Sequence, residues 1–126
     1  MTSMQMPIQQ LVNDFIKMNK AGKVLALCEK HYDVKVQMLS NGDIFACSRQ
    51  EAMDKQAKFV AAVEKFDISL LSKQINNDVS ELIFDYKMTT ANGEKNNFIG
   101  KHILSWKNQK IIKEEFSIIQ PSQIKD

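Results

Sequence analysis

The sequence predicts an α+β fold, in which a curved, mostly antiparallel sheet packs against three N-terminal helices. Two observations carry that expectation. The last third of the chain reads as a meander of three long strands over 79–90, 97–107 and 111–119. Asn92-Gly93 separates the first two, and Asn-Gly between β-rich runs is a strong hairpin signal because both residues tolerate positive φ. Upstream, apolar residues recur mostly at helical spacing, so the helices come before the meander rather than alternating with its strands.

The elements follow in order. Residues 1–6 form a polar, methionine-rich lead expected to fray. Pro7 suits a first helical turn, and Ile8, Leu11, Val12, Phe15, Ile16 and Asn19 repeat at i, i+3, i+4 and i+7. This predicts a helix over 7–20, capped at its C-terminus by Gly22. A second, shorter helix is expected at about 22–31, with Val24, Leu25, Leu27 and Cys28 apolar. Val34, Val36 and Met38 alternate with Lys35 and Gln37 as in a half-buried strand, which the turn cluster Ser40-Asn41-Gly42-Asp43 ends. Ser48-Arg49-Gln50-Glu51 reads as a capping box. It opens a helix to about Glu64 whose broad apolar stripe predicts cover on more than one side. Phe66, Ile68 and Leu70 alternate in one phase, and Leu71, Lys73 and Ile75 in the other. A phase slip within one strand marks a bulge, which bends it. Asn76-Asn77-Asp78 turns the chain into the meander, and Pro121 with the polar tail ends it.

Bulk composition narrows the function classes. With 126 residues, 44% of them apolar, the chain suits a single domain over 1–126 with its own core. Seventeen basic and 15 acidic residues give +2, and the lysines are scattered, so nucleic-acid binding is not expected. No apolar run is long enough to span a membrane, and the N-terminus lacks the basic and apolar regions of a signal peptide. Cys28 and Cys47 have no metal or redox spacing, which fits a cytoplasmic protein with reduced thiols. No phosphate loop or ligand cluster is spaced for a nucleotide or metal, so no cofactor is expected.

Several segments resemble the nuclear transport factor 2-like superfamily, in its SnoaL-like and steroid-isomerase-like branch. Asp14 to Gly22 resembles the first helix and its Asn-Ala-Gly turn, and Leu25 to Val36 the helix-to-strand passage. Phe98-x-Gly-x-His-x-Leu-x-Trp106 with Gln109-Lys110-Ile111 resembles a late strand and turn, with Gln109 where a glycine is usual. The resemblance covers about Ile8 to Ile119 and implies a cystatin-like cone enclosing a cavity, and a homodimer paired through the open sheet face. It implies isomerase, cyclase, dehydratase or binding-only roles, so the fold alone gives no function. Where the steroid-isomerase branch carries a tyrosine and two aspartates, this chain has Phe15, Met38 and His102. Steroid-type isomerisation is therefore not expected.

Candidate chemistry rests on the hairpin. A two-residue turn at Asn92-Gly93 sets Asp85 opposite Gly100 and Ile83 opposite His102. Asp85 and His102 then become diagonal neighbours, roughly 7 Å apart at Cβ. A carboxylate beside an imidazole orients it as a general base. Gly100 leaves room for a ligand, Tyr86 or Tyr32 can hydrogen-bond one, and Phe15, Met38, Tyr32, Phe59 and Trp106 are expected to line the cavity. The adjacent Glu114 and Glu115 point to opposite faces, so at most one faces the cavity. The expectation is a dimeric domain with an apolar cavity for a small hydrophobic molecule and no evident catalytic set. The alternative is an isomerase, cyclase or dehydratase using His102 as acid/base, oriented by Asp85.

Overall fold

The computed structural model describes residues 6–124. The expected N-terminal lead, Met6 apart, and the last two residues of the polar tail lie outside the described residues. The chain forms α1 (Ile8–Lys20), α2 (Val24–His31), β1 (Tyr32–Ser40), β2 (Asp43–Ala46), α3 (Arg49–Ala62), β3 (Val63–Asn76), β4 (Val79–Thr90), β5 (Lys95–Lys107) and β6 (Lys110–Ile119). The six strands make one sheet in the order β2-β1-β6-β5-β4-β3. Every pair is antiparallel except β1 with β6, whose connection runs through α3 and the meander. Three helices on a curved, mostly antiparallel sheet are what the sequence predicts. The short β2 is the addition, because Ser40-Asn41-Gly42-Asp43 closes a hairpin instead of ending in a loop, with Asn41 and Gly42 at φ +51° and +88°.

Local chemistry sets the boundaries. The α1 stripe buries Leu11, Val12, Phe15, Ile16 and Asn19. The helix ends in a Schellman cap, where the Gly22 N–H donates to Asn19 O and the Lys23 N–H to Met18 O, with Gly22 at φ +73°. Ser48 Oγ accepts from the Glu51 N–H, while Glu51 Oε1 reaches past Ser48 to the Cys47 N–H. α3 is a correction. Only Ala52 is buried on it, so it is covered on one side and lies along the sheet's rim.

Bulges give the sheet its curl. Leu71 is the extra residue between the pairs Leu70–Phe84 and Ser72–Ile83, where the phase slip predicts it. Further irregularities fall at Phe45 between β1 and β2 and at Ile112 between β5 and β6.

The β4–β5 hairpin does not have the expected register. The Gly93 N–H donates to Thr90 O and the Thr90 N–H to Glu94 O, both at 2.9 Å, so the loop holds three residues, 91–93, with Gly93 at φ +86°. Asp85 therefore pairs with Ile99, Phe84 with Gly100 and Leu82 with His102. One extra loop residue turns every side chain of one strand to the other face relative to its partner. The faces then sort cleanly. Leu82, Phe84, Tyr86 and Met88 share the concave face with Phe98, Gly100, His102, Leu104 and Trp106, while Ile83, Asp85 and Lys87 lie on the convex face with Ile99, Lys101 and Ile103.

Candidate functional site: an aromatic cavity with a polar floor

A cavity of about 330 Å³ opens between the helices and the concave face. Its wall is mostly apolar: Phe15 from α1, Leu27 from α2, Met38 from β1, Ile68 from β3, Met88 from β4, and Phe98 and Phe116 from β5 and β6. The bulged Phe45 and the half-exposed Phe59 of α3 form its mouth, with Lys55 and Gln56. Of the residues expected to line the cavity, Phe15, Met38, Tyr32 and Phe59 do so, and so does His102.

Gly100 and Trp106 do not. A Cβ at Gly100 would lie 2.7 Å from a Phe116 ring atom and 2.9 Å from a Tyr86 ring atom, so two aromatic rings already take the space a ligand was expected to use. Trp106 packs edge-on to His31, with ring centroids 5.7 Å apart, and its Nε1–H donates to Ser80 Oγ at 3.0 Å inside the core.

Asp85 is not the partner of His102. The three-residue loop puts it on the convex face, beside a shallow depression near Ile119 and Pro121. Glu114 takes the place assigned to it. The bulge at Ile112 turns Glu114 to the concave face and leaves Glu115 outside. Glu114 is diagonal to His102 across β5–β6, and its Oε2 lies 2.5 Å from His102 Nδ1. Its other oxygen, Oε1, accepts the Tyr32 hydroxyl proton. On the far side of the ring, His102 Nε2 lies 2.7 Å from the Tyr86 hydroxyl, which also accepts from Asn19 Nδ2 at 2.9 Å.

These five residues make one directed chain. Asn19 Nδ2 can only donate, so the Tyr86 oxygen accepts there and turns its own proton to His102 Nε2. A neutral imidazole then carries its proton on Nδ1 and presents it to Glu114. The chain spans α1, β4, β5, β6 and the start of β1, and all five of its residues line the cavity. Phe15, Phe84 and Phe116 surround His102 with ring centroids 5.0 to 6.4 Å away. Burial pushes the Tyr32 phenol well above its usual value, and the Glu114 charge adds to it. Burial also raises Tyr86, against the Asn19 hydrogen bond that lowers it. Both phenols are therefore neutral donors. Burial likewise pushes the Cys28 thiol up to about 12, which makes it an inert packing group.

Sequence reasoning offered Glu114 only as one of two possibilities, and it used Asn19 only as a helix-pattern residue. The signal for Asn19 was visible, as an amide four residues after Phe15 on an otherwise apolar stripe. Lys55 gave no signal, because nothing local marks one lysine among many as lying at a cavity mouth. Among the described residues no cluster of side chains could hold a metal ion, and no helix is long and apolar enough to cross a membrane.

Solved structures share this architecture. A protein from Mesorhizobium loti assigned as a SnoaL-like polyketide cyclase is 20% identical, with a TM-score of 0.73 over 88% of this chain and 98% of that one. Another SnoaL-like polyketide cyclase assignment, from a Jannaschia species, is 8% identical, with a TM-score of 0.75 over 93% and 91%. A protein with a ketosteroid isomerase-like fold from Catenulispora acidiphila, solved with trimethylamine, is 11% identical, with a TM-score of 0.68 over 84% and 82%. The chain therefore has the nuclear transport factor 2-like fold, the α+β cone that the sequence resembles. No family model matches the sequence, and no curated protein does.

Proposed function

We propose that the cavity binds a small, mostly apolar molecule whose hydrocarbon body lies against the aromatic and aliphatic wall. The half-enclosed volume of about 330 Å³, walled by aromatic and aliphatic side chains above a single hydrogen-bonded floor, carries this reading. Titration of the protein with 1-octanol, followed by NMR, tests it. Resonances of Phe15, Met38 and Ile68 should shift together and saturate. Shifts confined to the convex face, or none, would overturn the reading.

One observation favours a second reading, in which the floor also moves a proton. His102 has a carboxylate on one ring nitrogen and, on the other, the hydroxyl of Tyr86, itself a cavity-lining residue. A proton leaving a bound molecule can pass to the Tyr86 oxygen while the Tyr86 proton passes to His102 Nε2, and Glu114 then faces the resulting imidazolium. Glu114 thus takes the orienting role that the sequence suggested for Asp85. The check is exchange of the α-protons of 2-octanone in D₂O. Acceleration by the parent protein should disappear in His102→Gln, and equal rates for the two would sink the idea.

The proposal includes a homodimer through the convex face, in the cytoplasm. The half-buried Ile99 and Ile103 lie there beside Ile83 and Ile119, which the chain itself already buries, and the Lys101–Glu81 ion pair at 3.4 Å interrupts them. A monomeric mass by light scattering at micromolar concentration would contradict it.

A further inference from the structure

Among the described residues, Lys55 is the only lysine or arginine on the cavity lining. It sits on α3 at the mouth, while the acidic group of the cavity, Glu114, lies at the floor with both oxygens already engaged. Its ammonium is held in place. Nζ donates to Phe45 O at 2.6 Å, lies 5.3 Å from the centre of the Phe45 ring, and stands 3.7 Å from Glu51 Oε2. An ammonium has three N–H donors, so these oxygen partners leave one for a guest. Glu51 offsets part of the charge, but its other oxygen caps the Cys47 amide, and the contact is exposed and long.

We propose that Lys55 is a carboxylate-recognition group, and that the cavity's ligand class is the small apolar monocarboxylic acid. The acid's apolar body lies against Phe15, Met38 and Phe98, and its carboxylate meets Lys55 at the rim, where water still reaches it. That arrangement avoids the cost of burying the charge, because the ionised end stays at the mouth and only hydrocarbon enters. An ammonium ligand is disfavoured by the same layout. At the mouth it meets Lys55, and at the floor Glu114 already faces His102 and Tyr32.

The inference rests on the binding reading above, and three eight-carbon probes separate the two. Octanoate, 1-octanol and octylamine are titrated by calorimetry into the parent protein, Lys55→Met and Lys55→Arg. Octanoate should bind about tenfold tighter than octanol to the parent, as expected of one charge-assisted contact. Lys55→Met should erase that preference and leave octanol binding within about twofold, while Lys55→Arg keeps it. Circular dichroism of each variant reports that the fold is retained. A failure of octanol and octanoate alike overturns the cavity reading, and this one with it. If octanol binds but octanoate has no advantage, or keeps its advantage in Lys55→Met, only the role of Lys55 falls. Octylamine binding tightest would also overturn it.

Discussion

Each of the two histidines faces a carboxylate, and the two pairings stand in opposite settings. His31 Nε2 lies 2.7 Å from Asp14 Oδ2 at the seam of α1 and α2. The imidazole is buried against Phe15 and Trp106, but the Asp14 side chain is 27% exposed and also meets Lys30 at 2.8 Å. His102 and Glu114 sit on neighbouring strands with side chains 11% and 3% exposed, and among the described residues no lysine or arginine forms an ion pair with Glu114. The first pair leans on solvent and a surface lysine, so it behaves as a clamp between two helices. The second leans on tyrosines and on one face looks into a cavity. The same two functional groups thus serve as a fastener in one place and as candidate chemistry in the other. What separates them is where the carboxylate's remaining partners come from.

The largest test of that difference removes each carboxylate. Glu114→Ala leaves His102 Nδ1 and the Tyr32 hydroxyl without their acceptor in a buried site, and these two unpaired groups should together cost about 3–5 kcal/mol of stability. Denaturant unfolding of the two proteins measures it. A loss below about 1 kcal/mol would mean that the floor is wetter than its burial indicates. Tyr86→Phe comes next. It deprives Asn19 and His102 of a shared hydroxyl but keeps the ring stacked on Phe98, so about 1–3 kcal/mol is expected by the same measurement. Asp14→Ala should cost only about 1 kcal/mol, since water can replace much of what Asp14 gives His31 and Lys30. If Asp14→Ala proves as damaging as Glu114→Ala, the contrast between clamp and floor disappears.

The clamp was hard to read from sequence, and the floor partly readable, for physical reasons. Periodicity carries the helices and the long strands because burial enforces it, and the phase slip at Leu71 revealed a bulge because two registers of one strand are visible in the letters. Register between strands is not written in either strand. It depends on whether Asn92-Gly93 closes a two-residue or a three-residue loop. The chain chose the longer one, which carried Asp85 away from His102. The shorter loop would set Ile83, Asp85 and Lys87 on one face with Phe98, Gly100 and His102, mixing charged and aromatic residues, whereas the observed register gathers Leu82, Phe84, Tyr86 and Met88 with the aromatic residues of β5. Asp14 and His31 lie 17 residues apart on separate helices, and a contact of that kind depends on packing that no local pattern encodes. The Asn108-Gln109 turn needs no glycine: both residues stand at positive φ, +51° and +67°, so Gln109 itself adopts the left-handed geometry.

The smallest expected effect sharpens the contrast through pH. Burial holds the His31 imidazole below its usual value, although Asp14 pulls the other way, and Lys30 and Lys110 add to the lowering. The unfolded chain therefore takes up the His31 proton near pH 6.5, while the folded protein does so only at lower pH. Between those values the unfolded state binds more protons, so this group makes stability fall as pH drops below about 6.5 and leaves it unchanged above. Asp14 acts in a separate window. Its Lys30 hydrogen bond, and secondarily His31, hold its carboxyl below the usual range of about 3.8 despite partial burial. Its contribution is present above that value and is lost only as pH falls through the folded one. His31→Gln keeps an N–H able to reach Asp14 but cannot titrate. Thermal unfolding from pH 7 to 5 should therefore show a shallower fall in Tm for the variant than for the parent. An unchanged slope would place the titrating group elsewhere and leave the clamp without a pH signature of its own.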